Sequence, residues 1–221
     1  MYLSLIVSSF LLFAIPLFSG ILIILFFRRD FSLERFKKVF FIGLIFYLIA
    51  QMILLIFGHF YEANYDKLPL FIYLWVHEDF IIILAALAGY YLLLKNGLVR
   101  QDSYRDFSLV FSYTSGFLVL SGLIRIISSS LKFDAYKLFL FPMICFVLLL
   151  LFPIILIEAG TRRGYISILI YSLFLPLSLV LAVIPWLFYL NYYVTATGVA
   201  LAALSGAGVL FFILKKGYTG N

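Results

Sequence analysis

Charge is what this sequence most lacks. Lys, Arg, Asp and Glu make up 12% of its 221 residues, about half the share of a water-soluble domain. It has one cysteine, Cys145, which excludes an intramolecular disulfide and any C-x-x-C redox pair. Cys145 falls inside an apolar stretch and reads as a small packing residue. The two histidines, His59 and His77, form neither H-x-x-x-H nor H-E-x-x-H. Walker A, G-x-G-x-x-G and G-x-S-x-G motifs are also missing, so ATP-driven chemistry would have to come from a partner. No loop is long enough to hold a soluble domain.

What the chain has instead is apolar length. Two-thirds of it is hydrophobic, with 26 Phe. About 20 consecutive apolar residues cross a bilayer as one helix. Seven such spans are expected, over 3–27, 39–60, 70–94, 107–127, 138–157, 165–190 and 194–214. The N-terminal run carries no basic residue before it, and its positive charges come after it. That is the reverse of a signal peptide, so 3–27 reads as a retained helix. The predicted fold is an all-α integral membrane protein, one domain of seven transmembrane helices.

Orientation follows from the basic residues. After spans one, three, five and seven come Arg28, Arg29, Arg35, Lys37, Lys38, Lys95, Arg100, Arg105, Arg162, Arg163, Lys215 and Lys216. The opposite side has Lys67, Arg125, Lys132 and Lys137. Excess Lys and Arg marks the cytoplasmic face, which predicts an N-out, C-in protein, with the plasma membrane the expected location. The inner basic loops suit anionic headgroups. No basic segment is long enough to suggest nucleic acid. Arg28–Lys38 mixes Phe and Leu with basic residues and is expected along the inner headgroup layer.

Local signals punctuate this map. Asn96–Gly97 should cap span three, and Ser103 with Asp106 resembles a capping box opening span four. Asn191 and its neighbouring tyrosines predict a hairpin between spans six and seven. Pro142 and Pro153 in span five, with Pro176 and Pro185 in span six, imply kinks.

Ionisable residues within spans point to function. His77, Glu78 and Asp79 sit in span three, Arg125 near the outer end of span four, and His59 at the end of span two. Spans three and four are antiparallel neighbours, so Arg125 should be level with Glu78 and Asp79. Consecutive helical residues point about 100° apart, so the three cannot share one cavity. Either Glu78 or Asp79 is expected to pair with Arg125, leaving the other to face water or a polar pocket. The competing expectation is that span three begins near Trp75, which makes the triplet a solvated helix end. Gln51 should hydrogen-bond a neighbouring helix or line a pathway. Span four, rich in Ser, Thr and Gly, should be central. Gly198, Ala202 and Gly206 form a small-residue face for helix packing, within the bundle first and for self-association second. Glu158 should pair with Arg162 or Arg163 at the inner face.

Two seven-helix families share this topology and are excluded by residues. The membrane hydrolases of the alkaline ceramidase and adiponectin-receptor type need three His ligands, and this chain has two His. Retinal proteins need a lysine mid-way along the last span, and 194–214 has none. No metal or other cofactor is expected, a site on His59 and His77 being the weakest alternative. Two functions remain: a small-solute or lipid-ligand binding protein or transporter with a polar site in the outer half of the bundle, or an accessory subunit of a larger membrane complex. A sensory transducer without its own output domain ranks behind both.

Overall fold

The computed structural model describes Leu17 and residues 33–59, 67–99, 107–128, 136–162 and 164–219. The described residues are helical almost throughout and contain no strand. In chain order they form α1 (Leu33–His59), α2 (Lys67–Leu74), a first π-helical segment (Trp75–Phe80), α3 (Ile81–Lys95), α4 (Phe107–Ser128), a second π-helical segment (Tyr136–Leu140), α5 (Phe141–Thr161), α6 (Tyr165–Ser172), α7 (Phe174–Tyr189) and α8 (Tyr193–Thr219). Each π segment joins its neighbours into one rod, so these elements account for spans two to seven. The stretches Glu34–Ile56, Phe141–Gly160, Tyr165–Tyr189 and Tyr193–Ile213 are long and apolar enough to cross a membrane, and Ile81–Lys95 and Phe107–Ser121 are shorter apolar helices. Span one lies outside the described residues except for Leu17, and so does the Ser103–Asp106 capping box.

Two boundaries move from expectation. Leu33–Lys38 is the first part of α1, not a separate surface element. No Gly or Pro interrupts it, and Glu34, Arg35, Lys37 and Lys38 are exposed, so the helix runs on past its apolar stretch. The third rod starts at Lys67, well before Trp75. Pro69 falls in its first turn, where the missing N–H costs nothing.

Helix ends follow backbone chemistry. After α3, Gly97 takes φ 67°, its N–H bonds Leu94 O at 3.0 Å, and Leu98 N–H bonds Leu93 O at 3.0 Å. This is a Schellman cap, which needs a left-handed residue. The turn between α7 and α8 uses Asn191 at φ 67°, with Tyr192 N–H reaching Leu187 O at 2.9 Å. Of the four prolines in spans five and six, only Pro176 sits beside a break: the helix is interrupted at Leu173, whose N–H bonds Ile170 O at 3.1 Å. Pro176 has no N–H to offer the Ser172 carbonyl. Helices α5 and α7 continue through Pro153 and Pro185.

Helix α4 is the centre. From Phe107 to Val119 its residues are buried with one partial exception, Ser108. Helix α1 packs on it backbone to backbone. A Cβ on Gly43 would collide with the Tyr113 carbonyl oxygen, and one on Gly116 with the Phe40 carbonyl oxygen. Ser112 Oγ donates to Phe36 O at 2.9 Å within the same contact. Close van der Waals approach and an interhelical hydrogen bond make this contact, the mode of association expected of helices in lipid. Tyr113 extends it to a third helix: its hydroxyl donates to Ala86 O at 2.7 Å, and it rests against Gly89, where a Cβ would displace it.

The outside of the molecule is apolar. Phe41, Ile45, Leu48, Met52 and Leu55 form an exposed stripe on α1, α6 has no buried residue, and Val194, Phe212 and Ile213 are exposed on α8. Exposed apolar area on this scale suits contact with lipid tails. Gly198, Ala202 and Gly206 are on this outward side, and a Cβ on either glycine would meet nothing within 4 Å. Packing within the bundle uses Ala196, Ala200, Ala207 and Phe211 instead. The exposed Gly198, Ala202 and Gly206 and the buried Ala196, Ala200 and Ala207 therefore lie on different sides of α8.

Substitutions at the glycines should separate these roles. Gly43→Ala and Gly116→Ala are each expected to destabilise the protein by about 1–3 kcal/mol through overpacking. Gly198→Ala should be neutral or stabilising by up to about 1 kcal/mol. Thermal unfolding in detergent reads both signs, and equal losses at all three positions would contradict this packing.

Candidate functional site: a polar cavity beside Asp79

The third rod leans on different partners along its length. Its first part, α2 and the π segment, packs on α7 and its later part, α3, on α1. The contact with α7 is aromatic and polar: Phe71 meets Trp186 edge-on at 5.5 Å, and Trp75 Nε1 donates to Ser178 Oγ at 2.9 Å. Trp75 is thus held against another helix and is not an isolated belt residue. The first π segment begins at this tryptophan. Its wider turn is shown by the Ile81 N–H bonding Val76 O, five residues back. No proline or glycine marks the segment, so the π turn has no local sequence signal.

Asp79 lies in this π turn, twelve residues from Lys67 and sixteen from Lys95. At about 1.5 Å per residue that is near 18 Å from one end of the rod. Its side chain is 5% exposed. The expectation of a solvated helix end is therefore not met for Asp79. It borders a cavity of about 20 Å³ together with Ser121 of α4, Tyr136 of the second π segment and Cys145 of α5. A water needs roughly 10–15 Å³ by this measure, so the space suits one water-sized occupant. Both π-helical segments among the described residues contribute to it, and π turns cluster at functional sites.

A second cavity of about 20 Å³ lies closer to the start of α4. Ile82, Leu118 and Leu148 line both. This second cavity is apolar apart from Tyr113 and Thr114, whose hydroxyls are engaged by Ala86 O and Val110 O. The bundle centre therefore has one void with polar lining and, next to it along α4, a greasy one.

Of the other expected site residues, His59, His77, Glu78 and Arg125 belong to described helices, but their side chains lie outside the described residues. Arg125 comes one helical turn after Ser121, so its backbone position is on the cavity face of α4, one turn nearer the end of that helix. Gln51 is remote from the cavity: its Nε2 donates to Tyr47 Oη at 2.9 Å in its own helix, not to a neighbouring one. Glu158 Oε2 and Arg162 Nε are 3.8 Å apart, the expected pair. Among the described residues no three His, Cys, Asp or Glu come together as metal ligands. Sequence reasoning missed Ser121, Tyr136 and Cys145 as partners of Asp79. Ser121 was legible as a hydroxyl on a polar span, whereas Tyr136 precedes the expected start of span five and Cys145 read as packing.

Comparison with protein-family models, curated proteins and solved structures found no match.

Proposed function

We propose that this chain is a membrane protein of the transporter class that binds a small solute at Asp79, oriented N-out and C-in in the cytoplasmic membrane. One observation carries the reading: a carboxylate-bearing side chain, buried half-way along a bundle helix, borders a cavity that two π turns shape. Placing an Asp at the centre of a membrane helix costs about 3 kcal/mol on insertion scales. A fold that served only to pack would gain by replacing it with an apolar residue.

The volume narrows the solute. Organic ligands occupy pockets of roughly 300 Å³ or more, far above the space here. A water- or ion-sized occupant fits the closed cavity, which weighs against a lipid ligand. Anything larger requires the helices to part. The interruption at Leu173 and the prolines of α5 and α7 supply places where the α5–α7 side can move.

A specific observation also favours a second reading, an accessory subunit of a membrane complex. Gly198, Ala202 and Gly206 present open space to the outside of α8, and small residues at that spacing allow close helix approach.

Flux measurements on proteoliposomes test the first reading. A panel of small charged and uncharged solutes should include one whose flux falls at least about tenfold, or 1.4 kcal/mol, in Asp79→Asn while membrane insertion is unchanged. Full flux in that variant would contradict the assignment. For the second reading, purification in mild detergent should recover a stoichiometric partner that Gly198→Leu releases. A monodisperse monomer would count against it.

A further inference from the structure

We infer that Ile82, Leu118 and Leu148 form a hydrocarbon gate between the cavity beside Asp79 and the second cavity along α4. The inference rests on the solute-binding reading above and names what controls passage from that site.

Three helices are layered in step around the two voids. Asp79, Ser121 and Cys145 line the first void and not the second. Three positions along each chain segment come Ile82, Leu118 and Leu148, which line both. Four positions further come Ala86, Thr114 and Phe152, which line the second void only. Residues three and four apart share one face of a helix. The numbering rises along the third rod and α5 and falls along α4, as antiparallel neighbours require. Each helix thus gives one branched aliphatic side chain to a single middle layer, and all three are buried. Among the described residues no other lines both voids.

The middle layer offers a solute nothing but hydrocarbon. A charged or hydrogen-bonding solute leaving the first void meets no polar group there to replace its water, so passage costs desolvation. Narrow apolar constrictions gate by dewetting for this reason. Opening requires one of the three side chains to withdraw. Gly43 and Gly116 hold α4 against α1 backbone to backbone, and Tyr113 ties α3 to α4 through Ala86 O. Helix α5 instead starts from a π segment and contains Pro153, which has no N–H for the Leu149 carbonyl. Leu148 is therefore the member placed to move.

Thiol reactivity of the full chain in right-side-out membrane vesicles tests this, with Ag+ in a chloride-free outer solution as the probe. Native Cys145 reports on the first void. Thr114→Cys in a Cys145→Ser background reports on the second. Cys145 should react at least about tenfold faster, a barrier difference of about 1.4 kcal/mol. Leu118→Ala and Leu148→Ala should each bring the Thr114→Cys rate up towards that of Cys145. Leu149→Ala and Leu156→Ala, buried on α5 but outside both linings, should leave it unchanged. Equal rates at the two thiols without a gate substitution, whether fast or undetectable, would overturn the proposal. So would a Thr114→Cys rate that the gate substitutions leave alone, or that Leu149→Ala raises as much, which is what a loosened core would give. Should Leu118→Ala fail to fold, Leu148→Ala carries the test. Solute flux with equal thiol rates retires the gate alone, while graded rates without any solute flux keep the gate and retire transport.

Discussion

The architecture depends on the contact between α1 and α4, where two glycines let backbones touch. Gly43 faces the Tyr113 carbonyl and Gly116 faces the Phe40 carbonyl. This reciprocal arrangement admits no side chain from either helix. It brings α4 into the middle of the bundle and leaves its other faces to meet α3 and α5. Tyr113 then anchors α3 through Ala86 O, and the later turns of the same helix present Leu118 and Ser121 to the third rod and α5. A wider α1–α4 spacing would shift α4 and dissolve the cavity geometry. The dependence runs from two small residues to the placement of a carboxylate several turns away.

The polarity of the molecule is inverted relative to a water-soluble domain. Its most buried helix is among its richest in hydroxyls: Ser112, Thr114, Ser115 and Ser121 of α4 are all buried. Its most exposed surfaces are Phe, Leu, Ile and Val. Both observations suit a lipid environment, where apolar side chains gain nothing by being buried and polar groups do best with partners inside the protein. Ser112 bonds a carbonyl across the helix interface and Thr114 bonds one in its own helix. Asp79 extends the same logic to an ionisable group, at a depth where its surroundings must supply what water would.

Much of the architecture was legible because apolar run length sets helix existence, and caps set helix ends. Gly97 and Asn191 supplied left-handed residues where chain reversal needs them. The centrality of α4 was legible from its hydroxyls and glycines. Facing was much less so. The small-residue spacing on α8 identifies a stripe but not which side of the helix meets the bundle, and Ala196, Ala200 and Ala207 offered an equally good one. The first π turn was invisible, since Trp75–Phe80 contains no residue that breaks a helix, whereas Tyr136–Leu140 runs directly into Pro142. Such turns affect facing, because a residue added to a turn rotates every later side chain about the helix axis. The union of Tyr136, Ser121 and Cys145 around Asp79 is a long-range outcome of packing that no local pattern encodes.

The central claim is that Asp79 faces the bundle interior at the level of Cys145. The chain carries a natural reporter for it, since Cys145 is its only cysteine. In Asp79→Cys, mild oxidation or a thiol-bridging metal ion should link the new thiol to Cys145 within one chain, as mass spectrometry would detect. Absence of that link, together with rapid labelling of the new thiol by a membrane-impermeant reagent from the outer solution, would contradict it.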